Sequence, residues 1–141
     1  AAHWPTFERN YSEQFEARLV NVKVMDSPSI FFAGMAGAML PIVNSHGEGR
    51  AYWKNQEDEA EAIAAACYAD SKQMPTEVYP LNPNGSPMGK TAFTTPDGRA
   101  TIMMPHPERS WRAVQLSWRS PLLKDVSPWA RIFQNARVWV G

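Results

Sequence analysis

The chain has a single cysteine, Cys67. One thiol excludes an internal disulfide framework and fits a reducing cytoplasm. It also lacks a surplus of charge, with 14 lysines plus arginines against 14 aspartates plus glutamates. No global field therefore draws it to nucleic acid or to an anionic membrane. Only a local basic patch around Arg109, Arg112 and Arg119 is left open. No apolar run approaches the roughly 20 residues of a membrane span, and there is no signal-peptide pattern. Histidine is scarce too. A metal site built from His3, His46 and His106 would need three distant segments to converge, and their spacing gives no support for one. There is no repeat and no low-complexity tract. What is present is 141 residues, 44% of them hydrophobic, with six tryptophans and six phenylalanines. That is enough to core one domain or a portion of one.

The most informative run is Met103-Met104-Pro105-His106-Pro107-Glu108-Arg109. A residue before proline is pushed away from the helical region, and proline fixes its own φ. Met104 and His106 both precede proline, so the run is expected to be extended. Alternation along an extended chain then points His106 and Glu108 the same way. An imidazole oriented by a carboxylate is the base half of a catalytic triad. The plain alternative is a salt-bridged pair that fixes a turn.

A nucleophile is harder to find. Cys67 follows the helical-looking run Glu61 to Ala66 and has no flanking glycine to make a sharp elbow. It reads as a packed thiol. Ser45 stands beside His46 in Asn44-Ser45-His46-Gly47, but the glycine that the elbow pattern wants two places earlier is absent. His46 itself is open to three readings: a ligand contact, a metal ligand with Glu48, or a loop histidine without a task. Gly47 and Gly49 flank Glu48 and let backbone approach a substrate closely.

Residues 1–12 read as irregular. Residues 15–24 read as a strand with Val20, Val22 and Val24 on one face, and residues 39–44 as a second strand. Ser27-Pro28 signals a short helix stopping at Gly34. The loop His46 to Gly49 follows, with a strand continuing over 51–53. Residues 57–66, acidic first and alanine-rich last, predict a helix, and residues 68–70 a short strand. Four prolines between Ser71 and Gly89, with Asn84-Gly85, predict an extended, turn-rich loop. Asn82 to Pro87 reads as a rigid loop, with a substrate-covering or domain-contact role as the alternative. Residues 90–94 and 99–104 predict a hairpin across Thr95 to Gly98. Residues 128–138 predict an amphipathic helix with Trp129, Ile132, Phe133 and Ala136 on one stripe. Trp111, Trp118 and Trp129 read as packing residues. On pattern alone, strands with few helices suggest α+β.

Several blocks resemble a known family. They are Trp4-Pro5 through Arg18, Ser27-Pro28-Ser29 with Gly34 to Gly37, Ser45-His46-Gly47-Glu48-Gly49-Arg50, Tyr79 to Pro87, Met103 to Arg109, and Asn135-Ala136-Arg137. Together they are similar to the glutaminase domain of phosphoribosylformylglycinamidine synthases, which are class I, triad-type glutamine amidotransferases. The likeness spans residues 1–141. Cys67-Tyr68-Ala69-Asp70 and Lys90 depart from the family pattern without touching the His–Glu pair.

The resemblance implies an α/β fold: the later portion of a flavodoxin-like sheet with an antiparallel insertion. It implies that His106 is the triad base and Glu108 its orienter. It places His46 and Gly47 near the glutamine site. It puts the nucleophilic cysteine on an elbow upstream of Trp4, so that residues 1–141 alone are expected to be inactive. Glutamine and the remainder of the synthase chain are the implied partners. No cofactor is implied within these residues, ATP and magnesium belonging to the synthetase domain. Two other classes stay open: a binding or scaffold module that keeps the fold without the activity, and a hydrolase using Ser45 or a metal. A doubly wound sheet missing its elbow strand would leave an apolar face uncovered. Val20, Val22, Val24, Ile42, Val43 and Ile102 would line it, which predicts self-association.

Overall fold

A computed structural model describes residues 1–141. The centre is a five-stranded sheet in the order β3-β2-β5-β6-β7, formed by β2 (Glu16–Val24), β3 (Met39–His46), β5 (Ala64–Tyr68), β6 (Lys90–Thr94) and β7 (Thr101–Met103). A smaller sheet pairs β1 (Thr6–Arg9) with β4 (Glu48–Tyr52). Two α-helices complete the regular structure, α1 (Gln56–Glu61) and α2 (Ala130–Val140).

Every strand pair is antiparallel. The parallel, doubly wound sheet that the resemblance implied is not found within these residues. The reason lies in the connections. A parallel pair needs a crossover of a dozen or more residues, usually helical, that covers a sheet face. Here the one α-helix between strands is α1, which has six residues and buries none. The architecture is a mixed α/β domain around an antiparallel half-barrel. Its curl brings the two sheet edges together. The chain leaving β7 crosses to β3, and the His106 N–H donates to the Val43 carbonyl at 2.7 Å.

The strand reading of residues 15–24 holds, and Val20, Val22 and Val24 are all buried on one face. Opposite them in register lie Ile42, Leu40 and Ala66. This face is covered from within the chain. A 3-10 turn at Ile30–Phe32 and the helix α2 bring Phe32, Met35, Trp129 and Ile132 onto it. The Trp129 indole N–H donates to the Pro41 carbonyl at 2.7 Å. The Asn135 side chain donates to the carbonyls of Phe31 and Ala33, tying helix to turn. Of the residues expected to line an open apolar face, Val20, Val22, Val24 and Ile42 are therefore core, while Val43 and Ile102 are half-buried.

Three local expectations change. The helix foreseen over 57–66 ends at Glu61, and its alanine-rich half is strand β5. Asn55 caps α1 by accepting from the Asp58 N–H at 2.8 Å, and acidic residues fill its first turn. Beyond it, alanine suits a central strand with close neighbours on both sides: Ala66 faces Val24 on β2 and Ala92 on β6. Pairing overrides the helix preference of alanine. The foreseen irregular N-terminus contains β1, whose Glu8 carboxylate accepts from Arg50 of β4 at 2.7 Å. Finally, the foreseen loop His46 to Gly49 is nearly continuous strand. Only Gly47 separates β3 from β4, where the chain passes from one sheet to the other.

Candidate active site

His106 sits where the half-barrel closes. Pro107 opens a 3-10 turn, Pro107–Arg109, and His106 caps it with φ −104° and ψ 89°. The cap backbone is held from both directions. Its N–H binds Val43, and its carbonyl accepts from the Arg109 N–H at 3.1 Å and the Ser110 hydroxyl at 3.0 Å. The same Ser110 oxygen accepts from the Val43 N–H at 3.0 Å. Ser127 in turn donates to the Ser110 carbonyl. One residue of β3 thus fixes the backbone of His106.

The turn, rather than the alternation of an extended chain, brings the two side chains together. His106 Nδ1 lies 2.6 Å from Glu108 Oε1. With the carboxylate accepting from Nδ1–H, the free nitrogen is Nε2, the tautomer a general base needs. The His106 side chain is about a quarter exposed, at 26%. Arg109 also approaches Glu108, at 3.7 Å, but both side chains are more than half exposed and such a pair adds little. The outer side of Glu108 borders an open, mostly apolar groove of about 520 Å³ with Trp111, Val126, Ala130 and Phe133.

His46 ends β3 on the face shared with Asn44 and Ile42. Its ring centroid is 6.1 Å from that of His106, so the sequence-predicted residues His46 and His106 do converge. His46 is nevertheless enclosed: both ring nitrogens are buried and neither makes a hydrogen bond. Burial pushes its pKa below the ordinary value; the Asn84 amide beside the ring opposes this and His106 adds to it. His46 is thus a neutral ring backing His106. Gly47 is partly buried, with its carbonyl accepting from the Asn10 N–H at 2.9 Å.

The other candidates lie elsewhere. Ser45 neighbours His46 on β3 and so points to the opposite face. Cys67 is buried in β5, and burial pushes its thiol up to about 11, with Lys90 opposing. A thiol so far above neutrality is protonated and unreactive. His3 pairs with Asp58 at 2.8 Å. No three His, Cys, Asp or Glu side chains gather to hold a metal ion.

Residues that the sequence reading left in loops complete the surroundings. A Cβ on Gly49 would fall 2.2 Å from the His46 ring and 2.3 Å from the Asn84 amide. Gly49, more than Gly47, is the glycine the site requires. Asn82, Asn84 and Ser86 are buried. The signal for them was visible in Asn-Pro-Asn-Gly-Ser-Pro: three short polar side chains at a spacing of two, in a segment stiffened by proline.

The family pattern of the CobB/CobQ-like glutamine amidotransferase domain matches residues 1–140. The chain belongs to this family. Among solved structures, the glutamine amidotransferase domain described here is similar to a chain in the structure of PurLQS from Thermotoga maritima, with a TM-score of 0.68 and 20% sequence identity. The match covers 97% of this chain and 53% of that one, so the domain spans about half the length of that chain. At this identity the likeness speaks for the fold. No helix is long and apolar enough to cross a membrane.

Proposed function

We propose that residues 1–141 supply the base and orienter of a class I glutaminase serving phosphoribosylformylglycinamidine synthase. In this reading the antiparallel half-barrel adjoins a flavodoxin-like sheet carrying the nucleophile. The observation that carries the proposal is the His106–Glu108 contact of 2.6 Å in a chain of the glutamine amidotransferase family. Cys67, the one thiol here, is buried in the sheet. The reading therefore draws the nucleophilic thiol from outside these residues.

The chemistry runs in two halves. His106 Nε2 takes the proton of the incoming thiol, and the sulfur bonds to the side-chain carbonyl carbon of glutamine. The tetrahedral adduct collapses as its C–N bond breaks, and the imidazolium hands its proton to departing ammonia. Water, deprotonated by the same nitrogen, then attacks the thioester; the C–S bond breaks to give glutamate and return the thiol. Glu108 holds the imidazole in the required tautomer and stabilises its charged form. His46 and Gly47 form the wall of the glutamine site beside His106.

The ammonia is passed to a synthetase partner, which uses ATP and magnesium to convert formylglycinamide ribonucleotide to its amidine in purine biosynthesis. No step assigned to this chain passes through ATP or magnesium. The test is His106→Ala in a protein that contains the nucleophile. Glutamine-dependent amidine formation is expected to fall by about 10²–10⁴, while formation from free ammonia persists. Equal loss of both activities would show that His106 is structural.

A further inference from the structure

The buried Asn84 has no part in the reaction just described, yet its side chain touches most of what surrounds His46. Its Nδ2 donates to Asn10 Oδ1 at 2.7 Å. Asn10 Nδ2 donates to the His46 carbonyl at 2.8 Å, and the Asn10 backbone N–H donates to the Gly47 carbonyl. On its other side, Asn84 Oδ1 shares the single proton of the Tyr68 hydroxyl with Asn44 Oδ1, which lies 2.9 Å from that hydroxyl. Asn44 Nδ2 donates to the Glu16 carbonyl at 2.9 Å, closing the circuit onto β2. Burial raises the Tyr68 pKa, so the hydroxyl stays a donor.

The end of β3 is thus gripped at Asn44 by Tyr68 and at His46 and Gly47 by Asn10, and one carboxamide, that of Asn84, bonds both Tyr68 and Asn10. The residue just before this stretch is Val43, whose carbonyl holds His106. We propose that Asn84 is a positioning residue for His106, acting through the end of β3. It fixes Asn10 and Tyr68, they fix β3, and β3 presents both the Val43 carbonyl that anchors His106 and the His46 ring that backs it. A neutral carboxamide suits the task because it donates on one side and accepts on the other. Nothing else in the buried loop Asn82 to Ser86 reaches both sides. Asn82 bonds within its own loop and to the Thr76 carbonyl, and Ser86 bonds to Gly49 and Ala51 of β4.

The proposal deepens the reading of His106 as the base and rests on it. Its test needs no turnover, so its failure would leave that reading standing. Amide hydrogen exchange is followed by NMR on the 141-residue chain. In the unaltered protein, the Asn84 carboxamide protons and the His106 backbone amide are expected to exchange through one shared opening. In Asn84→Ala, the His106 amide should exchange at least about tenfold faster, with the Phe93 amide of β6 unchanged. Asn84→Asp keeps the shape but cannot donate to Asn10, and should accelerate His106 selectively as well. A carboxamide of Asn84 that exchanges freely while His106 stays protected would overturn the proposal without any variant. So would His106 exchange that is unchanged in a folded variant, or acceleration spread evenly over the sheet.

Discussion

His106 and Glu108 are held together by a contact whose two ends are anchored differently. The imidazole is pinned through its backbone to β3 and its side chain is mostly buried, whereas the Glu108 side chain is 55% exposed. The carboxylate therefore acts as a support whose loss leaves the base in place. In a protein containing the nucleophile, Glu108→Gln keeps an acceptor facing Nδ1 and should lower glutaminase activity less than His106→Ala does. Comparing its rate with that of His106→Ala checks this. Equal loss in the two would mean that the negative charge matters as much as the base. Gly49 shows the opposite kind of dependence, on space alone. A methyl group there would meet the His46 ring and the Asn84 amide well inside contact distance. Gly49→Ala should cost about 1–3 kcal/mol of stability by overpacking, read as a lowered denaturant midpoint. An unchanged midpoint would show that His46 has room to move aside.

Elements were legible from sequence where period and punctuation agreed. The alternation of Val20, Val22 and Val24, the hairpin across Thr95 to Gly98 and the presence of α2 all describe what forms, although Phe133 of the foreseen stripe faces outward. Where neighbours decided, the sequence was silent. Nothing local in Ala64–Ala66 announces a central strand, since its fit to β2 and β6 is set by residues more than twenty positions away. The meeting of His106 and Glu108 was legible by the wrong route, since a 3-10 turn and not an extended chain brings them together. The Asn10–Asn84 bond joins residues 74 positions apart and left no local trace. The β6–β7 hairpin carries a second long-range constraint of this kind. In its turn the Thr95 hydroxyl, followed by Arg99, holds the Asp97 carboxyl down at about 2. Its Gly98 has φ +71°, and a Cβ there would come 1.9 Å from the Pro28 carbonyl oxygen. Gly98 N–H and carbonyl both bond, to Thr95 and Ile30 respectively, so the turn is fastened to the chain entering the Ile30–Phe32 turn. Gly98→Ala combines a left-handed backbone cost with a clash against main chain, about 3 kcal/mol together. Thermal unfolding followed by circular dichroism would read it. A variant melting with the parent would mean that the hairpin tip is free of Pro28.

At the scale of the molecule, the question is what closes the half-barrel. The expectation of self-association through Val20, Val22, Val24 and Ile42 loses its surface, because the chain covers those side chains itself. The cover is thin: one 3-10 turn and one face of an eleven-residue helix, with Trp129 as the largest fully buried side chain in the protein. Its ring meets Phe32 edge-on at 6.4 Å, and its N–H satisfies the Pro41 carbonyl. Trp129 caps α2, and no large aromatic within the helix shares the load, since Phe133 is 48% and Trp139 54% exposed. Trp129→Ala should therefore cost about 3–5 kcal/mol, a large share of the roughly 5–15 kcal/mol that holds a domain folded. It also leaves the Pro41 carbonyl without its donor. Trp129→Phe should fall between, keeping the edge contact and losing the hydrogen bond. Denaturant midpoints of the three proteins, with slopes compared to check that unfolding stays cooperative, decide the matter. If both variants unfold where the parent does, α2 is not what closes the core. The grip on Pro41, two residues before the carbonyl that anchors His106, would then have to come from the sheet alone.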